Sequence, residues 1–248
     1  MKNNLKYFAI VLSIACGLLL WHSEDAQMNV YAGSGVIEGE TGVEEVPDDF
    51  WDDNTSKKVS DVFPDVKKGA WYEPGVQYVY DNELMSGNKG LFNPTADITR
   101  AQLVTTLYRL VGEPKVTDKS ALTKLSDVTE GTYYTNAVCW AYAKGVTTGS
   151  SGKFNPANKL TRQQLAAFFF RFAEAMKMDT TARGDYNSML NADKVASYAV
   201  EAMAWAVGSG LINGSDVSVN GVTMKDLNPG GYTTRAQVAT ILMRFCEE

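Results

Sequence analysis

Apolar residues recur at intervals of three and four in three separate stretches: Leu103, Leu107 and Leu110; Leu165, Phe168, Phe169 and Phe172; Val238, Ile241, Leu242 and Phe245. That spacing puts each set on one face of a helix. The same tetrapeptide pattern, Thr-Arg-x-Gln, opens each stretch: Thr99-Arg100-Ala101-Gln102, Thr161-Arg162-Gln163-Gln164 and Thr234-Arg235-Ala236-Gln237. A Thr followed three residues on by Gln is a capping box, in which the hydroxyl takes a free N–H of the first turn and the Gln side chain returns to the cap. Each helix therefore begins with an Arg. A cation there opposes the partial positive charge of the helix N-terminus and costs roughly 0.3–1 kcal/mol. The same small penalty three times over predicts a use, and an anionic ligand is the candidate.

The similarity extends beyond the tetrapeptide. A constant shift of 62 residues superimposes Asp65 on Asp127, Tyr78 on Trp140, Leu84 on Val146, Gly87 on Gly149, Gly90 on Gly152, Phe92-Asn93-Pro94 on Phe154-Asn155-Pro156 and Arg100 on Arg162. A third copy matches in pieces at Asp193, Trp205, Gly210-Leu211, Gly214, Asn228-Pro229 and Arg235. It carries eight extra residues between about Asp216 and Lys225, and Asn220-Gly221 within them predicts a small hairpin. Each repeat reads as two helices joined by a glycine-rich loop. The first helix is clearest at Ala137, Val138, Trp140 and Ala141, with Gly145 as its stop; in the first repeat it is expected from about Pro74 to Leu84. Asn-Pro breaks regular structure before each cap.

Lys2 and Lys6 followed by an apolar run from Tyr7 to Leu20 and by Val30-Tyr31-Ala32 predict a cleaved secretory signal over 1–32. The run falls short of the roughly 20 residues that span a bilayer, so no membrane association is expected after cleavage. Residues 33–59 read as a flexible acidic linker, with eight acids and no base between Gly33 and Ser56. From residue 57 onward, 21 Lys and Arg face 19 Asp and Glu, which predicts no nucleic-acid partner. The single histidine, His22, lies in the signal; without it, Ser-His-Asp triads and His-ligated metals are excluded, and no metal or cofactor is expected. Cys139 and Cys246 are expected to be buried thiols rather than a disulfide.

These motifs resemble the S-layer homology module of bacterial surface proteins. The matching stretches are Phe63-Pro64-Asp65-Val66 with Trp71, Gly145-Val146-Thr147-Thr148-Gly149, Gly90-Leu91-Phe92-Asn93-Pro94 and Ile98-Thr99-Arg100-Ala101-Gln102. The resemblance implies an all-α fold of three helix-loop-helix modules, 60–117, 118–182 and 183–248, in a pseudo-threefold arrangement around a central helical bundle. It implies grooves between neighbours that bind secondary cell-wall polysaccharide, in several lineages through a pyruvylated and hence anionic sugar. The signature arginine is the family's main contact, which points here to Arg100, Arg162 and Arg235. The third repeat departs from the pattern: it lacks Phe-Pro before Asp193 and has Tyr232-Thr233 before its cap. All three signatures end in Gln where the family prefers Glu.

For the signature arginines the alternative to a ligand is a salt bridge between modules, to Asp97 or to an acid of another repeat. Helix N–H groups and a forked guanidinium converging on one volume favour a carboxylate ligand. Trp71, Tyr133 and Tyr198 are candidates to stack on a sugar, against the alternative of core packing. Gly87, Gly149 and Gly214 either permit turns or let the backbone approach the ligand. Arg109, Arg171 and Arg244, nine residues after the signature, read as cations that stabilise helix C-termini. A secreted, non-catalytic wall anchor is the expected function, with a cell-wall polysaccharide and another surface protein as candidate partners. The competing reading is a self-associating surface-layer protein. A carboxylate-based glycosidase is disfavoured, because three modules and a linker account for the residues.

Overall fold

The computed structural model describes residues 57–247, of which Lys58 onward belongs to one compact unit. The signal, His22 and nearly all of the acidic linker lie outside the described residues. The architecture is helical, with eight α-helices among the described residues: α1 (Val59–Val62), α2 (Glu73–Asp81), α3 (Arg100–Leu110), α4 (Ala121–Lys124), α5 (Thr135–Ala143), α6 (Arg162–Ala175), α7 (Val200–Gly208) and α8 (Arg235–Glu247). One hairpin, β1 (Ser215–Val219) and β2 (Val222–Asp226), interrupts them in the third repeat.

The capped helices form as the tetrapeptides predict. Thr99, Thr161 and Thr234 accept the N–H of the Gln three residues on, and each Gln Oε1 accepts the Thr N–H in return. The first helices end earlier than expected in repeat one, at Asp81 rather than Leu84, because Glu83 takes the left-handed conformation (φ 56°) that Gly145 and Gly210 take in the other copies.

The two helices of a repeat do not pack mainly on each other. Each first helix packs on the capped helix of the preceding repeat, cyclically: α2 on α8, α5 on α3 and α7 on α6. Aromatic rings carry the same exchange, with Trp140 against Tyr108 and Trp205 against Phe170, while Trp140–Phe172 and Trp205–Phe245 join the two helices within a repeat. Phe169 and Phe172 meet Phe245 to join the second and third capped helices.

At the centre, three backbone segments close a ring. Ile98 N–H donates to Thr233 O, Thr233 N–H to Leu160 O, and Leu160 N–H to Ile98 O, each at 2.9 Å. All three residues are buried, and they mark a pseudo-threefold axis just before the caps. Two copies place an aliphatic chain there and the third a threonine, whose Oγ1 is buried without a hydrogen-bond partner. Thr233→Val keeps the shape and the backbone ring but removes the orphaned hydroxyl, so it is expected to stabilise the protein by about 1 kcal/mol in a denaturant titration. An unchanged or lowered midpoint would show that the hydroxyl finds a partner in solution.

The hairpin is an enlarged version of a turn present in every repeat. Asn88 bridges Leu91 and Ser150 bridges Lys153, across Lys89-Gly90 and Ser151-Gly152 respectively, with both turn residues at positive φ. In the third copy Ser215 pairs with Asp226 at the same place, and Asn220-Gly221 forms the same positive-φ turn farther out. The insertion adds four residues to each strand, an even number that leaves the strand faces in register. No disulfide joins Cys139, which is buried, to Cys246.

Candidate functional site

Three grooves surround the axis, with volumes of about 540, 450 and 430 Å³. The first is built on the loop at Gly87, the second on the loop at Gly149, and the third on the loop at Gly214. Every groove draws on all three repeats. The first takes Arg235 and Tyr133, the second Arg100 and Tyr198, the third Arg162 and Trp71. The nine candidate residues thus divide into three equivalent sets of one arginine, one aromatic and one glycine. Trp71, Tyr133 and Tyr198 are 64%, 67% and 53% exposed, so they are rims and not core.

The arginines sit differently from expectation. No carboxylate lies within ion-pair distance of Arg100, Arg162 or Arg235 among the described residues, and Asp97 pairs instead with Lys159 at 2.8 Å. Each guanidinium bonds a loop carbonyl of the next repeat: Arg100 Nε to Phe154 O at 2.7 Å, Arg162 Nη1 to Leu227 O at 2.9 Å, Arg235 Nε to Phe92 O at 2.8 Å. Burial lowers the pKa of all three from its usual value. Nearby Asp65, Asp127 and Asp226 counter that effect on Arg235, Arg100 and Arg162. An arginine stays protonated throughout the working range.

The helix N-termini are also occupied. The first two N–H groups of α3 donate to Asn158 O and Pro156 O, those of α6 to Gly231 O and Pro229 O, and those of α8 to Ala96 O and Pro94 O. The third is taken by the Thr cap. The expectation that these N–H groups receive the ligand is corrected: the neighbouring loop and the Thr cap saturate them.

Acids opposite the arginines hold the same loops from the other side. Asp65 accepts the N–H of Phe92 and Asn93, and Asp127 those of Phe154 and Asn155. One peptide is therefore gripped at its N–H by an anion and at its carbonyl by a cation, which polarises both bonds favourably. The third repeat replaces this grip: Leu227 N–H donates to Leu190 O, and Asp193 is exposed. At Gly87 and Gly149 a Cβ would stand 2.4 Å from Phe63 Cε1 and 2.5 Å from Leu125 Cδ2, so these glycines are required by packing beneath the loop.

Arg109, Arg171 and Arg244, read from sequence as helix-terminal cations, line the first, second and third grooves respectively. Nine residues are two and a half helical turns, so each capped helix stands between two grooves and offers one arginine to each. Among the described residues no cluster of three or more His, Cys, Asp or Glu is arranged to hold a metal ion.

The model of the S-layer homology domain matches residues 62–104 and 124–166. Both matched segments run from the short helix before the gripping Asp through the first turn of the capped helix. Among the similar proteins are an endoglucanase of Bacillus sp. (strain KSM-635), 28% identical over 76% of this chain and 19% of its own length. The S-layer protein sap of Bacillus anthracis is 31% identical over 49% of this chain and 14% of its own. The surface-layer 125 kDa protein of Lysinibacillus sphaericus is 28% identical over 73% of this chain and 14% of its own. The chain therefore spans less than a fifth of the length of each of these relatives.

Proposed function

We propose that this protein is a non-catalytic cell-surface module that anchors to the bacterial cell wall by binding an anionic wall polysaccharide in its three grooves, with the third repeat acting as a diverged module of the same kind. The two S-layer homology matches and the surface-layer relatives support a secreted, cell-surface location and a wall-anchoring role. One observation carries the glycan reading. Each groove is lined by both an exposed aromatic ring and a half-buried arginine, the pairing of a flat apolar surface and a forked cation that suits a sugar ring bearing a carboxylate.

The full chain is expected to sediment with purified wall sacculi and to stay in solution once the wall polymer has been extracted from them. Equal binding to stripped walls would sink the proposal, and concentration-dependent assembly without any polymer would favour a self-associating surface-layer protein. The rims give the cleanest variant. Trp71→Ala, Tyr133→Ala and Tyr198→Ala combined should reduce wall retention at least tenfold, since stacking is worth about 0.5–1.5 kcal/mol per ring. The melting temperature should hold, because all three rings are mostly exposed.

A further inference from the structure

The three grooves share a plan but not an equal supply of unengaged cations. In the first, Arg235 spends Nε on Phe92 O and Nη2 on Ser86 O, while Arg109 pairs with Glu113 at 3.4 Å. In the third, Arg162 spends Nη1 on Leu227 O and Nη2 on Ser215 Oγ. The second groove differs on both counts. Arg100 spends only Nε, on Phe154 O, and its two Nη groups bond nothing among the described residues. Arg171, which lines the same groove, has no hydrogen bond or ion pair among the described residues. The Arg100 guanidinium is held between two rings, 5.1 Å from the centroid of Phe154 and 5.0 Å from that of Phe168. Lys159 also lines this groove, but Asp97 neutralises it. Among the described residues no acid lines the groove.

We infer that the second groove is the principal anion site of the protein, with Arg171 as a second ligand-binding cation that closes on a carboxylate from the side opposite Arg100. This rests on the anionic-glycan reading and deepens it. Two guanidinium groups that line one groove of about 450 Å³ with no carboxylate in its lining repel each other, and an anion bound between them relieves that repulsion. The same proximity shows in Arg100, whose pKa is lowered first by burial and further by the Arg171 charge. In the first groove Glu113 already supplies that anion to Arg109. In the third, Arg244 is open but both terminal nitrogens of Arg162 already donate to Leu227 O and Ser215 Oγ.

Malonate, a small dicarboxylate, probes such a cation pair without any wall polymer. In the full chain at constant ionic strength, replacing chloride by malonate is expected to raise the melting temperature saturably. Arg171→Gln should move the half-saturating malonate concentration at least tenfold upward, whereas Arg109→Gln should leave it unchanged. In chloride alone Arg171→Gln should melt at or above the wild-type temperature, the reverse of what loss of a purely structural arginine gives. Identical behaviour in malonate and chloride, a wild-type response from Arg171→Gln, an equal loss in Arg109→Gln, or a lower melting temperature for Arg171→Gln in chloride would each overturn the inference. A flat malonate response with intact, polymer-dependent wall retention removes this site alone; a normal malonate response with no wall retention removes the wall reading instead.

Discussion

A chain ended at Ala182 is expected to lose cooperative folding altogether, not merely a third of its stability. The reason is the exchange of helices around the ring. Without the third repeat, α2 loses α8, the surface it packs on, and α6 loses α7. Phe169, Phe170 and Phe172 lose Phe245 and Trp205. Exposing three such rings forfeits roughly 1.5–3 kcal/mol each, a sum comparable to the roughly 5–15 kcal/mol that holds a whole domain together. The backbone ring at Ile98 and Leu160 opens as well, because Thr233 takes part in two of its three hydrogen bonds. Closeness at these contacts leaves little room for repair: a Cβ at Gly75 of α2 would stand 2.7 Å from Thr240 Cα of α8. Near-ultraviolet circular dichroism and a urea titration of the truncated chain measure the outcome. A sharp transition with an aromatic signal would mean that two repeats fold as separate beads, and the interleaved packing would then be incidental.

Much of this architecture was legible from residue spacing, and the parts that were not share a physical cause. The capping boxes, the apolar faces and the Asn-Gly hairpin are local devices, so Thr99, Gln102 and Asn220 announce them within a few residues of chain. The rims at Trp71, Tyr133 and Tyr198 were ambiguous, since an isolated aromatic looks the same whether it faces a core or a groove. What escaped entirely was the exchange between repeats. Nothing near Arg100 in sequence predicts that its first helical N–H groups go to Pro156 and Asn158, or its Nε to Phe154, because those partners lie more than fifty residues away. The groove role of Arg109, Arg171 and Arg244 was within reach. A spacing of nine on a helix of 3.6 residues per turn places two arginines on opposite faces, and helices standing around an axis must then turn one toward each neighbouring gap. The resemblance already implied the axis; what was missing was its application to these three arginines, which were read as helix-terminal cations. In the third repeat Asp193 aligns with Asp65 and Asp127, whereas Leu190 O and Asp226 Oδ1 share the task, accepting from Leu227 N–H and Asn228 N–H.

That last difference yields the second large effect. Asp127→Ala is expected to destabilise the protein by about 2–4 kcal/mol, because the N–H groups of Phe154 and Asn155 each lose an anionic acceptor at 2.7 Å and an unsatisfied buried donor costs about 1–3 kcal/mol. Phe154 is fully buried, so water cannot replace the carboxylate at its N–H. The loss also strips Arg100 of its nearby countercharge, while Arg100 still pulls on the Phe154 carbonyl from the other side. Asp127→Asn keeps one acceptor oxygen and should cost roughly half as much. Asp65→Ala should match Asp127→Ala, since Asp65 holds Phe92 and Asn93 in the same way. Asp193→Ala should fall within about 0.5 kcal/mol of the parent, as an exposed residue outside any such grip does. Urea midpoints of the four variants decide the matter, and the pattern matters more than any single value. If Asp193→Ala costs as much as Asp127→Ala, the acids serve a common purpose other than holding the loop, and the two-sided grip on the Phe154 peptide is not what shapes the second groove.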